Sequence, residues 1–254
     1  MRLIFPDIQI TRYKSIPQRV RVLSEQWMQN EMYCPSCGND NLSKFPNNTK
    51  LADFFCESCG EVYELKSKRT PIGRSILDGA YDTAIARITG NNNPNLFVLG
   101  YHENVIENLT LIPKYFFTPA VLRIRRALSL NARRAGYVGS VILFDKIPVQ
   151  GKIQVIKSQE EVKKNTVMKN YAFSKMFCIR NINMRGWLMD ILRCIDKITS
   201  DIFSLRDVYD FADELAYKHP DNFNIEAKIR QQLQFLRNKG FIKFLGGGKY
   251  QKLI

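Results

Sequence analysis

Four cysteines stand in two tight pairs, Cys34-x2-Cys37 and Cys56-x2-Cys59, with 18 residues between the pairs. A CxxC turn chelates, and two such turns brought together present four thiolates. That soft, tetrahedral set suits zinc and leaves no coordination position open, so it implies a structural site. The spacing is that of a metal site rather than of a disulfide framework. A second pattern overlaps the first, Asp53-x10-Glu64-x-Lys66. In an extended strand residues 64 and 66 share one face, while Tyr63 and Leu65 project from the other toward a core. If Asp53 comes from the adjacent antiparallel strand, Asp53 and Glu64 can converge on a hard divalent cation such as Mg²⁺. Lys66 can then position or polarise water beside it. Such a group suits phosphodiester hydrolysis, because the metal stabilises charge on a pentavalent phosphate and lowers the pKa of its water. The alternative for these three residues is a salt bridge on an exposed strand.

Positioning this chemistry requires a hairpin. Two short strands are predicted, LADFF at 51–55 and VYELKS at 62–67, with the second cysteine pair in the turn between them. A clamped pair of thiolates would pin the tip of the hairpin whose arms carry Asp53 and Glu64. Before it, Ser15 and Gln18 fit a capping box that opens a helix carrying Ile16, Val20, Leu23 and Trp27 as an apolar stripe. After it, Ser75 and Asp78 fit another, followed by Leu77, Tyr81, Ala84, Ile85 and Ile88 on one face and ended by Gly90. Strands are predicted at 96–101, 107–112, 138–144 and 153–156. Strands with flanking helices describe an α/β or α+β domain.

From Asn183 the pattern changes to three helices and a hairpin. The first carries Trp187, Leu188, Ile191, Leu192, Ile195 and Ile198. The second opens at Ser204, capped by Asp207, and carries Val208, Phe211 and Leu215. The third, Ile225 to Asn238, turns Ile225, Ile229, Leu233 and Leu236 inward and leaves Lys228, Arg230, Gln231, Gln234 and Arg237 as polar positions. FIKFL, GGG and KYQKLI then read as strand, turn and strand, with Lys249 on the last. This is a winged-helix plan, whose third helix can enter a major groove. A dimerisation or packing domain is the alternative. The chain thus divides at 1–182 and 183–254.

The 254 residues carry 38 Lys and Arg against 24 Asp and Glu, a formal net charge of +14. Residues 1–182 hold +11 of this and residues 183–254 only +3. Within 111–157 nine basic residues face Asp145 alone. A polyanion partner follows, nucleic acid first, and the hydrophobic fraction of 45% excludes a disordered tail or low-complexity class. NARRAGYVGS places Arg133 and Arg134 to clamp phosphate with Tyr137 beside a base, or else as a solvated charge pair before a core tyrosine. Trp187 is expected in the core, His102 and His219 on the surface, and Cys178 and Cys194 as buried small hydrophobes. No run of 18 apolar residues occurs, so a cytoplasmic protein with no membrane contact is expected, and nothing requires a protein partner.

The cysteine set, LADFFC at 51–56, YELKSK at 63–68, DGAY at 78–81, NNPN at 92–95, ARRAGY at 132–137 and IRQQLQFLRNKG at 229–240 closely resemble the DpnI family of methyl-directed restriction endonucleases, over essentially the whole chain. The resemblance implies an α/β restriction-endonuclease-like core of the PD-(D/E)xK type with a zinc-stabilised hairpin, followed by a small winged-helix domain. It implies Mg²⁺-dependent cleavage of double-stranded DNA at GATC when the adenine carries an N6-methyl group. Asp53, Glu64 and Lys66 would take the catalytic roles and Cys34, Cys37, Cys56 and Cys59 the zinc roles. Ala52 stands where the motif's proline would be, and Tyr137 where the family has tryptophan at the methyl-sensing position. The competing function is a non-catalytic winged-helix regulator, or another DNA-binding protein, with a structural zinc.

Overall fold

The computed structural model describes residues 1–8, 13, 15–46 and 52–253. The chain forms two units, Met1–Asp145 with Gly151–Cys178, and Lys146–Gln150 with Ile179–Ile254.

The first unit contains α1 (Ile16–Glu31), β1 (Ser43–Lys44), β2 (Phe54–Phe55), β3 (Val62–Arg69), β4 (Ile76–Ala80), α2 (Tyr81–Thr89), β5 (Asn95–His102), β6 (Val105–Ile112), β7 (Leu122–Ile124), β8 (Gly139–Ile142), β9 (Ile153–Lys157), β10 (Glu160–Glu161) and α3 (Lys164–Ser174). Its main sheet runs β1-β2-β3-β5-β6-β9-β10, and β4-β8-β7 forms a second. Among the described residues only β3 and β5 pair in parallel, with Glu64 opposite Leu96 and Lys66 opposite Val98. β5 is apolar almost throughout because both its faces are covered. Phe97 and Leu99 pack into a core shared with Trp27, Met28 and Met32 of α1 and Val167 and Tyr171 of α3. Leu96, on the other face, meets Ile88, Leu122 and Ile142 around a small pocket. Asn95 is fully buried and ties four elements together. Its amide donates to Glu61 Oε2 (3.0 Å) and the Val62 carbonyl (3.1 Å), and its Oδ1 accepts from Lys114 N (3.0 Å) and the Tyr171 hydroxyl (3.2 Å).

The second unit contains α4 (Ile182–Lys197), β11 (Ile202–Ser204), α5 (Leu205–Tyr209), α6 (Ala212–Lys218), α7 (Ile225–Asn238), β12 (Ile242–Gly246) and β13 (Lys249–Lys252), with its sheet ordered β11-β13-β12. Leu188, Ile191, Val208, Leu215, Ile229, Leu233 and Leu236 are fully buried and form its core. Ser204 and Asp207 make both halves of the expected capping box.

Several expectations need correction. The helix placed at Ser75 begins only at Tyr81, and residues 76–80 are strand β4 because β8 supplies an antiparallel partner. Leu77 is therefore exposed rather than on a buried helical face. Ile16 also lies exposed, although Ser15 caps α1 as expected through the Gln18 N–H. The single helix expected from Ser204 is two, broken at Asp210–Phe211. His219 is not a free surface residue: its ring stacks on Trp187 at 3.8 Å and its Nε2 lies 3.1 Å from Asp190 Oδ2. Cys194 is buried as expected, whereas Cys178 is exposed, since neighbouring Phe177 takes the inward position against Phe116. Leu51, first in the strand predicted at 51–55, and Ile254, last in the closing hairpin, lie outside the described residues.

Candidate active site and metal centre

The two cysteine turns have the same backbone plan. Gly38 N donates to the Cys34 carbonyl and Gly60 N to the Cys56 carbonyl, both at 2.8 Å. Gly38 and Gly60 take φ of +81° and +70°, a left-handed conformation that side chains disfavour, so each turn needs its glycine. The second turn joins β2 to β3, β1 after the first turn pairs with β2, and the four Sγ atoms lie within 4.8 Å of one another. Cys34 and Cys59 are 3.6 Å apart and Cys37 and Cys56 3.5 Å, close to the roughly 3.8 Å edge of a zinc–thiolate tetrahedron. The donor set fits zinc, held by all four thiolates as a closed structural site.

β3 carries chemistry on one face and core on the other. Tyr63 is fully buried and stacks on Phe97 at 5.2 Å, while its hydroxyl lies 3.2 Å from Cys34 Sγ. Glu64 and Lys66 face a cleft of about 770 Å³ that Asp53 also lines. Asp53 is fastened to β3 twice: its N–H donates to the Tyr63 carbonyl (3.0 Å) and its Oδ2 accepts from Leu65 N (2.7 Å). Lys66 Nζ lies 2.5 Å from Glu64 Oε1 and 2.9 Å from Asp78 Oδ1, and Arg87 reaches Glu64 Oε2 at 3.7 Å.

Burial raises the Asp53 pKa, although the Leu65 N–H and Lys66 hold it back. Burial also works against the Lys66 ammonium, but Glu64 and Asp78 outweigh it and lift Lys66 above the ordinary lysine value. For Asp78 the Lys66 charge overcomes burial and holds the carboxyl below its usual range. Asp53 and Glu64 are hard oxygen donors that fit a divalent cation such as Mg²⁺.

Sequence reasoning missed three charged residues beside this cleft: Asp78, Arg87 and Glu25. Glu25, buried on α1, accepts from Arg21 at 2.6 Å and pairs with Lys44 at 2.7 Å. Asp78 stood as an expected helix cap, and the signal that would have found it is its place in a second strand. Lys68 and Arg69 add positive charge to the cleft wall.

The other nominated residues lie apart from this group. Arg133 and Arg134 are exposed, and Arg134 covers the Tyr137 ring at 3.9 Å. On α7, Arg230, Gln231, Gln234 and Arg237 are exposed and Lys228 is half-buried, its Nζ 2.7 Å from Gln231 Oε1. Arg230 also bonds the Tyr209 hydroxyl, and Lys249 is exposed on β13. No helix among the described residues is long and apolar enough to cross a membrane.

Two family models account for nearly all of the chain. Residues 183–252 match the helix-turn-helix domain described as Dam-replacing HTH, and residues 1–180 match the model described as DpnI, Dam-replacing family. With its larger unit and its helical C-terminal unit both matched, the chain belongs to the DpnI family of methyl-directed restriction endonucleases.

Proposed function

We propose that this protein is a Mg²⁺-dependent type II site-specific deoxyribonuclease that cuts double-stranded GATC containing N6-methyladenine. Residues 1–182 form a nuclease domain of the PD-(D/E)xK type and residues 183–254 a winged-helix domain that reads the duplex. The observation that carries this reading is the meeting of Asp53, Glu64 and Lys66 in one cleft. In this reading Asp53 and Glu64 hold Mg²⁺, which supplies charge neutralisation at the scissile phosphate. Lys66, kept charged by its carboxylate neighbours, orients water and offsets charge developing on the phosphate. The four cysteines hold zinc and fix the hairpin that carries Asp53 and Glu64.

Methyl selection needs more than attraction, because burying one methyl group is worth about 1 kcal/mol or less. Tyr137 is its candidate reader. Arg134 covers the ring in the free protein, and a base or methyl group would have to displace the guanidinium or share the face. Arg133, Arg134 and Lys249 are candidate phosphate contacts, and α7 offers Lys228, Arg230, Gln231, Gln234 and Arg237 to a major groove. The protein acts in the cytoplasm, where its DNA substrate lies.

The test uses matched plasmids with methylated and unmethylated GATC in Mg²⁺, beside Lys66→Ala. Cutting of the methylated plasmid alone, lost in the variant, supports the reading. Equal cutting of both removes methyl direction, and cutting of neither leaves a winged-helix regulator with a structural zinc.

A further inference from the structure

One carboxylate outside the Asp53-x10-Glu64-x-Lys66 pattern has an oxygen on Lys66. Asp78 comes from β4, a different sheet from β3, and reaches across to Lys66 at 2.9 Å. Its side chain is 13% exposed, against 23% for both Lys66 and Glu64. β4 supports it through a bulge: pairing with β8 shifts between Asp78 and Ala80, which frees the Gly79 segment and re-aims Asp78. Buried Ser140, opposite Asp78, lies 3.4 Å from its Oδ2 and donates to the Gly79 carbonyl at 3.0 Å.

Two demands fall on Glu64. It bonds Lys66 at 2.5 Å and draws Arg87 to 3.7 Å, yet on the functional reading above, on which this inference rests, it also offers oxygen to a cation. A carboxylate that turns toward a cation weakens its hold on an ammonium. The other charged groups around Lys66 do not replace it. Asp53 acts at longer range and is engaged by the Leu65 N–H, while Arg21 and Glu25 of α1 act on Asp53. Arg87 of α2 is cationic, and Lys68 of β3 is turned to the carbonyls of Ile72 and Ser75. Asp78 alone has an oxygen on Lys66 and no second cationic partner among the described residues.

We infer that Asp78 is a positioning residue for the nuclease reaction, the standing ion-pair partner that holds the Lys66 ammonium in place when Glu64 is taken by the cation. Without it the ammonium has no fixed partner once Glu64 turns away, and its Nζ leaves the position in which it meets the phosphate.

The experiment compares the parent protein with Asp78→Asn and Asp78→Glu, each checked for bound zinc and cooperative unfolding. Asp78→Asn is expected to lower kcat about 10- to 100-fold with KM for DNA changed less than about threefold. Asp78→Glu, which keeps the carboxylate, is expected to recover most of that loss. DNA affinity followed by fluorescence anisotropy without divalent metal is expected to stay within about threefold of the parent in both variants. An Asp78→Asn form whose affinity falls as far as its kcat, or an Asp78→Glu form no better than Asp78→Asn, overturns the role. A parent protein that cuts, beside an Asp78→Asn form with unchanged kcat, overturns the role of Asp78 alone. A parent protein that does not cut overturns the nuclease reading and this inference with it.

Discussion

Tyr63 and Cys34 join the cysteine centre to the cleft: the phenol oxygen lies 3.2 Å from the Cys34 sulfur, and the next residue along the strand is Glu64. Alternation along β3 therefore places a partner of the sulfur cluster and a cleft carboxylate back to back. A thiolate that accepts the Tyr63 O–H is oriented by it, in the way outer partners orient metal ligands. Tyr63→Phe should release zinc to a chelator about 10-fold faster or more while the fold survives. Zinc release followed with a chromophoric chelator checks this, and an unchanged rate would show that the contact does not support the metal.

Metal content gives the next expectation. One tightly held zinc per chain should survive a brief treatment that strips exchangeable Mg²⁺. Cys37→Ser or Cys59→Ser should lose it and lower the unfolding midpoint, because metal binding energy is folding energy. Elemental analysis with thermal unfolding tests this; far less than one zinc per chain would sink the assignment.

Asp53→Asn and Glu64→Gln should each reduce cleavage roughly a thousandfold or more. DNA affinity should fall much less, since phosphate contacts made elsewhere remain. Single-turnover cleavage beside fluorescence anisotropy separates the two. A variant that cuts within tenfold of the parent would remove that carboxylate from the chemistry.

Asn95 makes four side-chain hydrogen bonds from a fully buried position in the larger unit. Replacing it with alanine removes a partner from Lys114 N, the Tyr171 hydroxyl and the Val62 carbonyl. A loss of about 2–4 kcal/mol is expected in urea unfolding. A change below about 0.5 kcal/mol would mean that these groups find other partners.

The C-terminal unit should show an acid limb of its own. Hydrogen bonds from Lys197 and Lys218 hold the Glu214 carboxyl at about 2, below its ordinary 4.5. A depressed carboxyl stabilises the fold above its unfolded value and loses that contribution as pH falls through its folded value. Between pH 4.5 and about 2 the parent should therefore lose hydrogen-exchange protection in α6 faster than Glu214→Gln, which has no such proton to take up. Equal pH dependence in both would show that the ion pairs are screened away.

The elements legible in the sequence are those specified locally. The cysteine turns announce themselves because a chelate demands short spacing, and the Glu64 and Lys66 face follows from a two-residue period. The Ser204–Asp207 cap forms as expected. Ser75 and Asp78 show the same Ser-x-x-Asp spelling, yet Asp78 lies in a strand that starts right after Ser75, because β8 competes for the backbone from more than 60 residues away. That long-range pairing hid Asp78 from the site. Three-residue β7 and β11 carry no period to read, and α3 opens at Lys164 with no side-chain cap to announce it.

The placement of β3 between β2 and parallel β5 makes the coding frame of this segment unforgiving. One codon gained or lost inside 62–69 would turn the acid and the ammonium inward and the tyrosine outward at a stroke. The turn after α2, at Asn91–Asn93, has an exposed start and can take extra residues with little consequence for the sheet. A library of random in-frame insertions should therefore separate into silent and null classes at a boundary a few codons wide, ahead of Asn95.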